Sequence, residues 1–186
     1  MPILSVIITS VREGRAGESI AQWFMARAQE HGKFDTQLVD LKHVNLPMVS
    51  EPNHPRLRKY TQDTTKAWSA TVGPSDAFVF ILPEYNYSMP PALVNAVDHL
   101  YHEWNYKACA FVSYGGVSAG TRAMQMAKQL VTAVKMMPVQ EAVTIPFFSQ
   151  LMEGGVFKSN ETHDNAAVAM LNELLRWTDA LKPVRQ

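Results

Sequence analysis

Residues 3–19 read ILSVIITSVREGRAGES and join an apolar run to a polar, glycine-containing turn. The run Ile3–Ile8 is nearly all apolar, which is typical of a strand covered on both faces. The turn Thr9–Ser19 leads into a helical pattern, so we predict a strand-to-helix connection there. Free N–H groups at a helix start, with hydroxyls and arginines beside them, favour the binding of a phosphate.

The same alternation of short apolar runs and helical patterns continues along the chain. Further strands are predicted at Thr36–Leu41, Ala77–Leu82, Ala108–Ser113 and Val139–Ile145. Helical patterns are predicted around Ile20–Ala28, Arg56–Ala70, Leu93–Trp104, Ala123–Met137 and Ala167–Leu181. This order predicts an α/β fold, a parallel sheet with helices on both faces, in a single domain over residues 1–186.

Composition and charge exclude several classes of function. Lys+Arg and Asp+Glu both number 17, so the clustered basic excess of nucleic-acid and membrane-surface binders is missing. We therefore predict no nucleic-acid partner and no membrane partner. Cys109 is the only cysteine and lies in an apolar run, which indicates a buried thiol rather than a disulfide. No signal peptide is recognisable, and the predicted location is cytoplasmic.

Three loops of unusual composition follow predicted strands, and the ends of parallel strands meet at one edge of the sheet, where ligands bind. They are Ser10–Ser19, Pro83–Pro91 and Ser113–Gly120. The first lacks G-x-G-x-x-G, and the chain lacks G-x-x-x-x-G-K-[ST], which disfavours a dinucleotide fold and a P-loop. The hydroxyls of Ser10 and Ser19, with the guanidinium groups of Arg12 and Arg15, suit a terminal phosphate instead.

The second and third loops suit a flat ring. Prolines stiffen Pro83–Pro91, so we expect the N–H groups of Glu84–Ser88 to lack strand partners and to face a ring with carbonyl edges. The glycines of Ser113–Gly120 allow close approach of a ligand's polar edge. A structural turn is the alternative interpretation of each of these two loops, and a solvated turn with two surface arginines is the alternative for the first loop.

Two other sites are alternatives. Gly116–Gly120 matches the G-x-S-x-G nucleophile elbow of serine hydrolases, with Ser118 as nucleophile and His163 as the single downstream histidine. His99, His102 and Glu103 share one predicted helix, a spacing that some metal sites use. A surface or subunit contact is the competing interpretation of those three residues.

Three motifs resemble the NADPH-dependent FMN reductase family of flavodoxin-like proteins. They are Ser10-x-Arg12-x-x-Arg15, Pro83-Glu84-Tyr85-Asn86 and Tyr114-Gly115-Gly116, each after the expected strand. Thr9 departs from the family, which often has glycine there. The resemblance implies a three-layer flavodoxin-like fold whose five-stranded parallel sheet has the order 2-1-3-4-5, with FMN at the switch between strands 1 and 3. The residues it assigns to FMN binding are Ser10, Arg12, Arg15, Ser19, Ile20 (through its backbone), Pro83, Glu84, Tyr85, Asn86, Tyr87, Ser113, Gly115, Gly116 and Ser118.

The resemblance also implies an activity. NADPH or NADH would reduce bound FMN, which would pass electrons to a small acceptor such as a quinone, an azo compound, a flavin or a metal ion. No side chain is required as a catalytic acid or base. Family members are commonly homodimers, and a homodimer or dimer of dimers is implied here, with Leu93–Trp104, Tyr87 and Met89 as candidate contacts. The alternatives are an FMN electron carrier, which the neutral charge disfavours, and a flavin-binding regulatory protein.

Overall fold

Strands and helices alternate along the computed structural model, which describes residues 1–185. The strands are β1 (Ile3–Ile8), β2 (Asp35–Asp40), β3 (Ala77–Pro83), β4 (Ala108–Tyr114), β5 (Met137–Pro138), β6 (Val143–Ile145), β7 (Met152–Glu153) and β8 (Val156–Phe157). The α-helices are α1 (Gly17–His31), α2 (Leu41–Val44), α3 (Asp63–Val72), α4 (Pro91–Asp98), α5 (Thr121–Ala133) and α6 (Glu161–Leu181). Short 3-10 helices lie at Pro55–Leu57, Phe148–Leu151 and Lys182–Val184.

The central sheet is parallel and has the order β2-β1-β3-β4-β5, with β6 also paired to β4. The predicted flavodoxin-like order 2-1-3-4-5 is therefore confirmed. β7 and β8 form a separate antiparallel hairpin after the sheet. Because β1 and β3 are neighbours, their following loops meet at the carboxyl edge of the sheet, which is where such folds bind ligands.

A buried apolar layer covers each face of the sheet, because alternate residues of each strand point to opposite faces. On β3, Ala77, Val79 and Ile81 pack with Phe24 of α1 and Leu174 of α6. The intervening residues of β3 pack against the other layer, which is built from α3, α4 and α5. That layer includes Phe78, Phe80, Leu82, Trp68, Leu93, Val97 and Ala127.

The fifth strand differs from the prediction of one run over Val139–Ile145. Two short strands, β5 and β6, pair with different parts of β4 instead. Pro138 lacks the N–H group that a continuous ladder needs. Val139 still donates its N–H to the Cys109 carbonyl at 2.9 Å, and β6 resumes the pairing five residues after Pro138.

The predicted helix Leu93–Trp104 ends early, at Asp98. The carbonyl of Ala96, which would accept from Leu100 in a continuing helix, accepts from the indole Nε1 of Trp68 at 2.8 Å instead. Leu100 donates to Val97, so the chain tightens into turns. Leu93, Val97, Leu100 and Trp104, the apolar stripe of the predicted helix, are buried in the core. They are therefore not the subunit contact that the sequence suggested.

Two other helix boundaries also differ from the predictions. The chain forms only a 3-10 helix at Pro55–Leu57, which the left-handed Arg58 (φ 52°) ends, and α3 begins at Asp63. Helix α5 ends at Ala133, before the left-handed Lys135 (φ 60°), so Met137 begins β5 rather than closing a helix. Within residues 1–185 no helix has the length and apolar character needed to cross a membrane.

Candidate active site

A cleft of about 650 Å³ lies at the carboxyl edge of the sheet. All three of the predicted loops contribute to its walls, and the segment after β6 forms a further wall. Its lining residues are Ser10, Arg12, Glu13, Gly14, Arg15, Ala16, Pro83, Glu84, Tyr85, Tyr114, Gly115, Phe148, Ser149, Met152 and Gly155. The structure thus brings seven of the fourteen predicted site residues into one cavity wall: Ser10, Arg12, Arg15, Pro83, Glu84, Tyr85 and Gly115.

The first loop meets the second through hydroxyl and aromatic contacts. The Ser10 and Tyr85 hydroxyl oxygens are 2.5 Å apart, and the Arg12 guanidinium lies 5.6 Å from the centroid of the Tyr85 ring. Thr9 is fully buried, and its hydroxyl donates to the Ile81 carbonyl at 2.8 Å. The threonine that departs from the family pattern therefore ties the end of β1 to β3.

Arg15 is the buried cation of the cleft, with a side chain only 3% exposed. Its Nη2 group donates to Asp40 at 2.5 Å and also to Glu18. Its Nε and Nη1 groups are buried and have no acceptor among residues 1–185. Buried N–H groups without a partner are costly, so Arg15 retains donors that a bound anion would satisfy.

Ser19 and Ile20 are held differently from the other predicted phosphate ligands. Ile20 is fully buried, and its N–H donates to the Ala16 carbonyl at 3.1 Å. The Ser19 hydroxyl accepts the N–H of Phe157 at 2.7 Å, which fixes the β7–β8 hairpin to α1. Neither residue lines the cleft. The backbone N–H groups of residues 17–19 precede the first hydrogen bond of α1 and have no helical acceptor.

The second loop is a tight turn rather than a stretch of free amides. Tyr85 and Ser88 exchange two backbone hydrogen bonds of 2.9 Å, and Glu84 donates its N–H to the Tyr114 carbonyl at 3.2 Å. The prediction that the amides of Glu84–Ser88 lack strand partners is therefore wrong for Glu84, which bonds to β4, while Tyr85 and Ser88 pair with each other inside the turn. Asn86 (φ 50°) and Tyr87 (φ 67°) form the left-handed corner of the turn, and their N–H groups have no acceptor within the described residues.

Arg122, at the start of α5, fixes this turn. Its Nε donates to the Glu84 carboxylate at 2.6 Å, and its guanidinium lies 3.9 Å from the centroid of the Tyr87 ring. Burial raises the pKa of Glu84, but the hydrogen bond and charge of Arg122, together with contributions from the Ser118 side chain and the Ala123 N–H, outweigh it, so this pKa lies below its ordinary value. Glu84 is thus a carboxylate, and its charge is balanced within the protein.

The third loop is closed by its own backbone. The Ser113 hydroxyl is fully buried and donates to the Ala119 carbonyl at 2.9 Å. A Cβ at Gly115 would lie 2.9 Å from the backbone nitrogen of Gly120, so only glycine closes this loop at the cleft. The Gly116 carbonyl accepts from Ala119 and from Phe147. Ser118, whose carbonyl accepts from Thr121, lies on this loop outside the cleft lining.

The sequence interpretation missed the wall after β6. Phe148, Ser149, Met152 and Gly155 line the cleft, and the Phe148 N–H donates to the Gly115 carbonyl at 3.2 Å. A signal was present, because Gly154-Gly155 is a two-residue turn sequence typical of a β-hairpin. Tyr114 was quoted within a family motif but was not predicted as a site residue, although its ring also lines the cleft.

The residues of the two alternative sites, the hydrolase triad and the metal site, make structural contacts within the protein. His163 caps α6 with Asn160 and packs beside Trp23 and Phe157, so it is not presented to Ser118 as a base. His99 contacts Thr65 and the Pro47 carbonyl, His102 contacts the Arg56 carbonyl, and Glu103 accepts from Tyr60 and Ser69. These three residues face different partners, and residues 1–185 contain no cluster of three potential metal ligands.

Known proteins are similar to most of this chain. The family described as NADPH-dependent FMN reductase matches residues 2–150. An NAD(P)H-dependent FMN reductase of Schizosaccharomyces pombe is 42% identical over 149 residues, covering 78% of this chain and 74% of its own. An NAD(P)H-dependent FMN reductase of a Nectria species is 31% identical over 153 residues, covering 79% and 76%.

A solved structure supports the fold. The flavoenzyme NAD(P)H:(acceptor) oxidoreductase FerB from Paracoccus denitrificans superimposes with a TM-score of 0.76 at 18% identity, covering 97% of this chain and 98% of its own. At that identity the likeness bears on architecture alone. The family match and the two relatives bear on the sequence itself, and they confirm the resemblance seen in the three loops. The chain belongs to the NADPH-dependent FMN reductase family.

Proposed function

We propose that this chain binds FMN in the cleft at the carboxyl edge of the sheet and passes electrons from NADPH or NADH to a small acceptor. Family membership assigns the enzyme class, FMN and the nicotinamide donor. The observation that supports this position for FMN is the cleft itself, where the loops that contain Ser10, Tyr85 and Gly115 meet. Those loops lie at the β1–β3 switch of the sheet, where flavodoxin-like folds bind their ligands.

The residues of the cleft fit the parts of FMN. At one end Ser10, Arg12 and the unpartnered N–H groups of Arg15 supply donors for a phosphate. At the other end Pro83–Tyr85 and Gly115 line the cleft and supply the stiff backbone and close approach that a flat ring needs. Asn86, Tyr87 and Gly116 follow them in the chain but do not line the cleft, and their contact with FMN stays a prediction from the resemblance. Ser19, Ile20, Ser113 and Ser118 also do not line the cleft, and their contact with FMN likewise stays a prediction from the resemblance.

FMN, when bound, supplies the hydride chemistry that connects the nicotinamide with the acceptor. The chain's own residues bind FMN and orient its ring. The Tyr85–Ser88 turn presents the free N–H groups of Asn86 and Tyr87, and Arg122 holds that turn in place. Because Glu84 is ionised and paired with Arg122, we assign it no proton-transfer role, and we name no catalytic acid or base.

The acceptor is proposed by class only. Quinones, azo compounds, flavins and oxidised metal ions all accept electrons from a reduced flavin, and we infer a small molecule among them. An FMN electron carrier without reductase activity is the main alternative. Such carriers tend to be strongly acidic, whereas this chain carries 17 acidic and 17 basic residues.

We also propose a homodimer, or a dimer of dimers, that covers the cleft. Four large apolar side chains on the cleft's own loops are exposed: Val11 (44%), Tyr87 (68%), Val117 (77%) and Phe147 (47%). Apolar side chains grouped around a site indicate a contact surface. Static light scattering on the purified chain would measure the mass, and a monomer at micromolar concentration would contradict this part of the proposal.

We further propose the cytoplasmic location that the sequence predicts, with which the buried free thiol of Cys109 is compatible. Cell fractionation tests this location.

The function is tested by steady-state oxidation of NADPH and of NADH by the FMN-loaded chain, with a quinone, an azo compound and ferric ion as separate acceptors. Turnover with at least one acceptor is expected. FMN binding without turnover for any of them would favour the electron carrier.

A further inference from the structure

We propose that a second cavity, beside the cleft, binds the adenosine half of the nicotinamide donor, and that Lys42 recognises the 2′-phosphate that distinguishes NADPH from NADH. This inference rests on the proposed function, because it assigns a site to the donor of the same reaction. The cavity has a volume of about 400 Å³, which is typical of small-molecule sites. It is lined by Val11, Leu41, Lys42, Asn45, Leu46, Met48, Pro91, Ala92 and Asn95.

The cavity lies directly next to the cleft. Val11 lines the cavity, whereas its chain neighbours Ser10 and Arg12 line the cleft. The Cα atoms of these neighbours are each about 3.8 Å from that of Val11, so a single loop separates the two spaces. Nζ of Lys42, which lines the cavity, pairs at 2.8 Å with the carboxylate of Glu13, which lines the cleft. A dinucleotide with its nicotinamide in the cleft can therefore place its other half in the cavity.

Asn95 of α4 fixes one wall of the cavity. Its side chain accepts the Val49 N–H at 2.8 Å and donates to the Pro47 carbonyl at 2.9 Å. His99 also contacts that carbonyl, at 3.1 Å. Met48 lies between these two anchored residues and lines the cavity, although it is 74% exposed. The segment after α2 is thus attached to α4, and the cavity is present before any ligand binds.

The lining of the cavity suits a purine nucleoside. Leu46, Met48 and Pro91 supply apolar area for a flat base, and a methionine thioether makes favourable contacts with aromatic rings. Asn45, which ends α2 in a left-handed conformation (φ 51°), adds a side-chain amide. That amide both donates and accepts hydrogen bonds, as the edge of a base requires. Mostly apolar walls with a few polar groups are typical of sites for such ligands.

Lys42 is the only charged residue among those that line the cavity. Its side chain is 32% exposed, and that of its partner Glu13 is 90% exposed. An ion pair so open to water contributes little to stability, so a phosphate dianion can displace the Glu13 carboxylate from Lys42 at small cost. NADH carries a hydroxyl where NADPH carries this phosphate, and it would leave the Lys42–Glu13 pair intact. The cavity therefore favours the phosphorylated donor.

Calorimetric titration of the FMN-loaded chain with adenosine 2′,5′-bisphosphate and with adenosine 5′-monophosphate tests the site without turnover. We expect Lys42→Met to weaken binding of the bisphosphate about tenfold, as for a lost charge-assisted contact, and binding of the monophosphate less than about twofold. Met48→Ala should weaken both by the same factor, because it removes apolar wall. Lys66→Met is the matched control, since Lys66 pairs with Asp63 at 2.9 Å and lines neither space; it should bind both nucleotides as the wild type does.

Reduction of the bound FMN, followed by its visible absorption without oxygen, extends the test to the donor itself. The donors compared are NADPH, NADH and reduced nicotinamide mononucleotide, which lacks the adenosine half. Lys42→Met should raise the apparent dissociation constant of NADPH about tenfold and those of the other two donors less than about twofold. The limiting rate of reduction should stay unchanged, because the nicotinamide lies in the cleft and not in the cavity.

Each other outcome overturns the inference. Unchanged or equal affinities for the two adenosine nucleotides in Lys42→Met would remove Lys42 from phosphate recognition. A wild type that bound neither nucleotide, or a Met48→Ala variant that bound both as the wild type does, would remove the adenosine from the cavity. Bound FMN that none of the three donors reduced would instead contradict the proposed function, so the two failures are distinguishable.

Discussion

The guanidinium of Arg122 lies 3.9 Å from the centroid of the Tyr87 ring. The same side chain is paired with Glu84 through Nη2 at 2.5 Å. Tyr87 and Glu84 belong to the turn after β3, whereas Arg122 is the second residue of α5, directly after the loop that follows β4. This contact therefore fixes the two predicted ring-binding loops relative to each other.

Replacing Arg122 should loosen both loops. We expect Arg122→Ala to lower the free energy of unfolding by about 1 kcal/mol, since the side chain is partly exposed and its pairing is screened by water. FMN affinity should fall several-fold as the turn loses its orientation. Chemical denaturation and flavin titration measure both effects. Arg176→Ala is the matched control, because Arg176 makes an exposed ion pair with Glu173 on α6; equal effects of the two changes would contradict the prediction.

Ser19 should stabilise the wall of the cleft. Ser19→Ala removes the acceptor of the Phe157 N–H, so the free energy of unfolding should fall by about 1 kcal/mol. We expect FMN and riboflavin affinities to fall by the same factor, because a looser β7–β8 hairpin affects the cleft as a whole. A loss confined to FMN would instead support the phosphate contact that the family resemblance assigns to Ser19.

Arg12 is expected to bind the phosphate directly. It is exposed at the cleft and makes no ion pair within the described chain, unlike Arg15. Loss of a charge-assisted contact in Arg12→Ala should weaken FMN binding by about 1.5–3 kcal/mol and leave the stability of the cofactor-free protein unchanged. Calorimetric titration with FMN gives the first quantity and thermal unfolding the second. Full FMN affinity in this variant would remove Arg12 from the phosphate site.

Lys107 should make the stability depend on pH. Burial lowers its pKa from 10.5 to about 8, although Nζ donates to the Gly73 carbonyl at 2.9 Å. Between these two values the unfolded chain binds more protons than the folded one, so the contribution of Lys107 to stability rises with pH. Relative to Lys107→Met, the wild type should gain about 2 kcal/mol between pH 7 and about pH 9.5. Urea denaturation measures this difference, and a pH-independent value would contradict the lowered pKa.

Much of the fold followed from local sequence where burial decided the structure. β1 was predicted with its observed bounds, and β3 and β4 each extend one residue further, because strands covered on both faces are apolar throughout. Where the predicted boundaries were wrong, tertiary contacts determine the structure. The end of α4 depends on the Trp68 indole, which takes the Ala96 carbonyl from a distant point in the chain, and no local pattern encodes that.

The candidate site was predictable in its loops but not in its contacts. Ser10, Arg12 and Arg15 do meet Pro83–Tyr85 and Gly115 at one cleft. The sequence overestimated the number of free amides in the second loop. Asn86 and Tyr87 both adopt left-handed conformations, which is unusual for tyrosine, and these conformations close a turn. The pairing of Arg15 with Asp40 joins the first loop to the end of β2, so the local sequence of neither segment reveals it.

The central claim is that this chain holds FMN where a reduced nicotinamide can reach it. The most direct test is the visible spectrum of the FMN-loaded protein without oxygen, before and after one equivalent of NADPH or NADH. The proposal predicts oxidised-flavin bands that shift on binding and bleach on addition of at least one of the two nucleotides. Bound FMN that keeps its oxidised spectrum with both nucleotides would contradict the account.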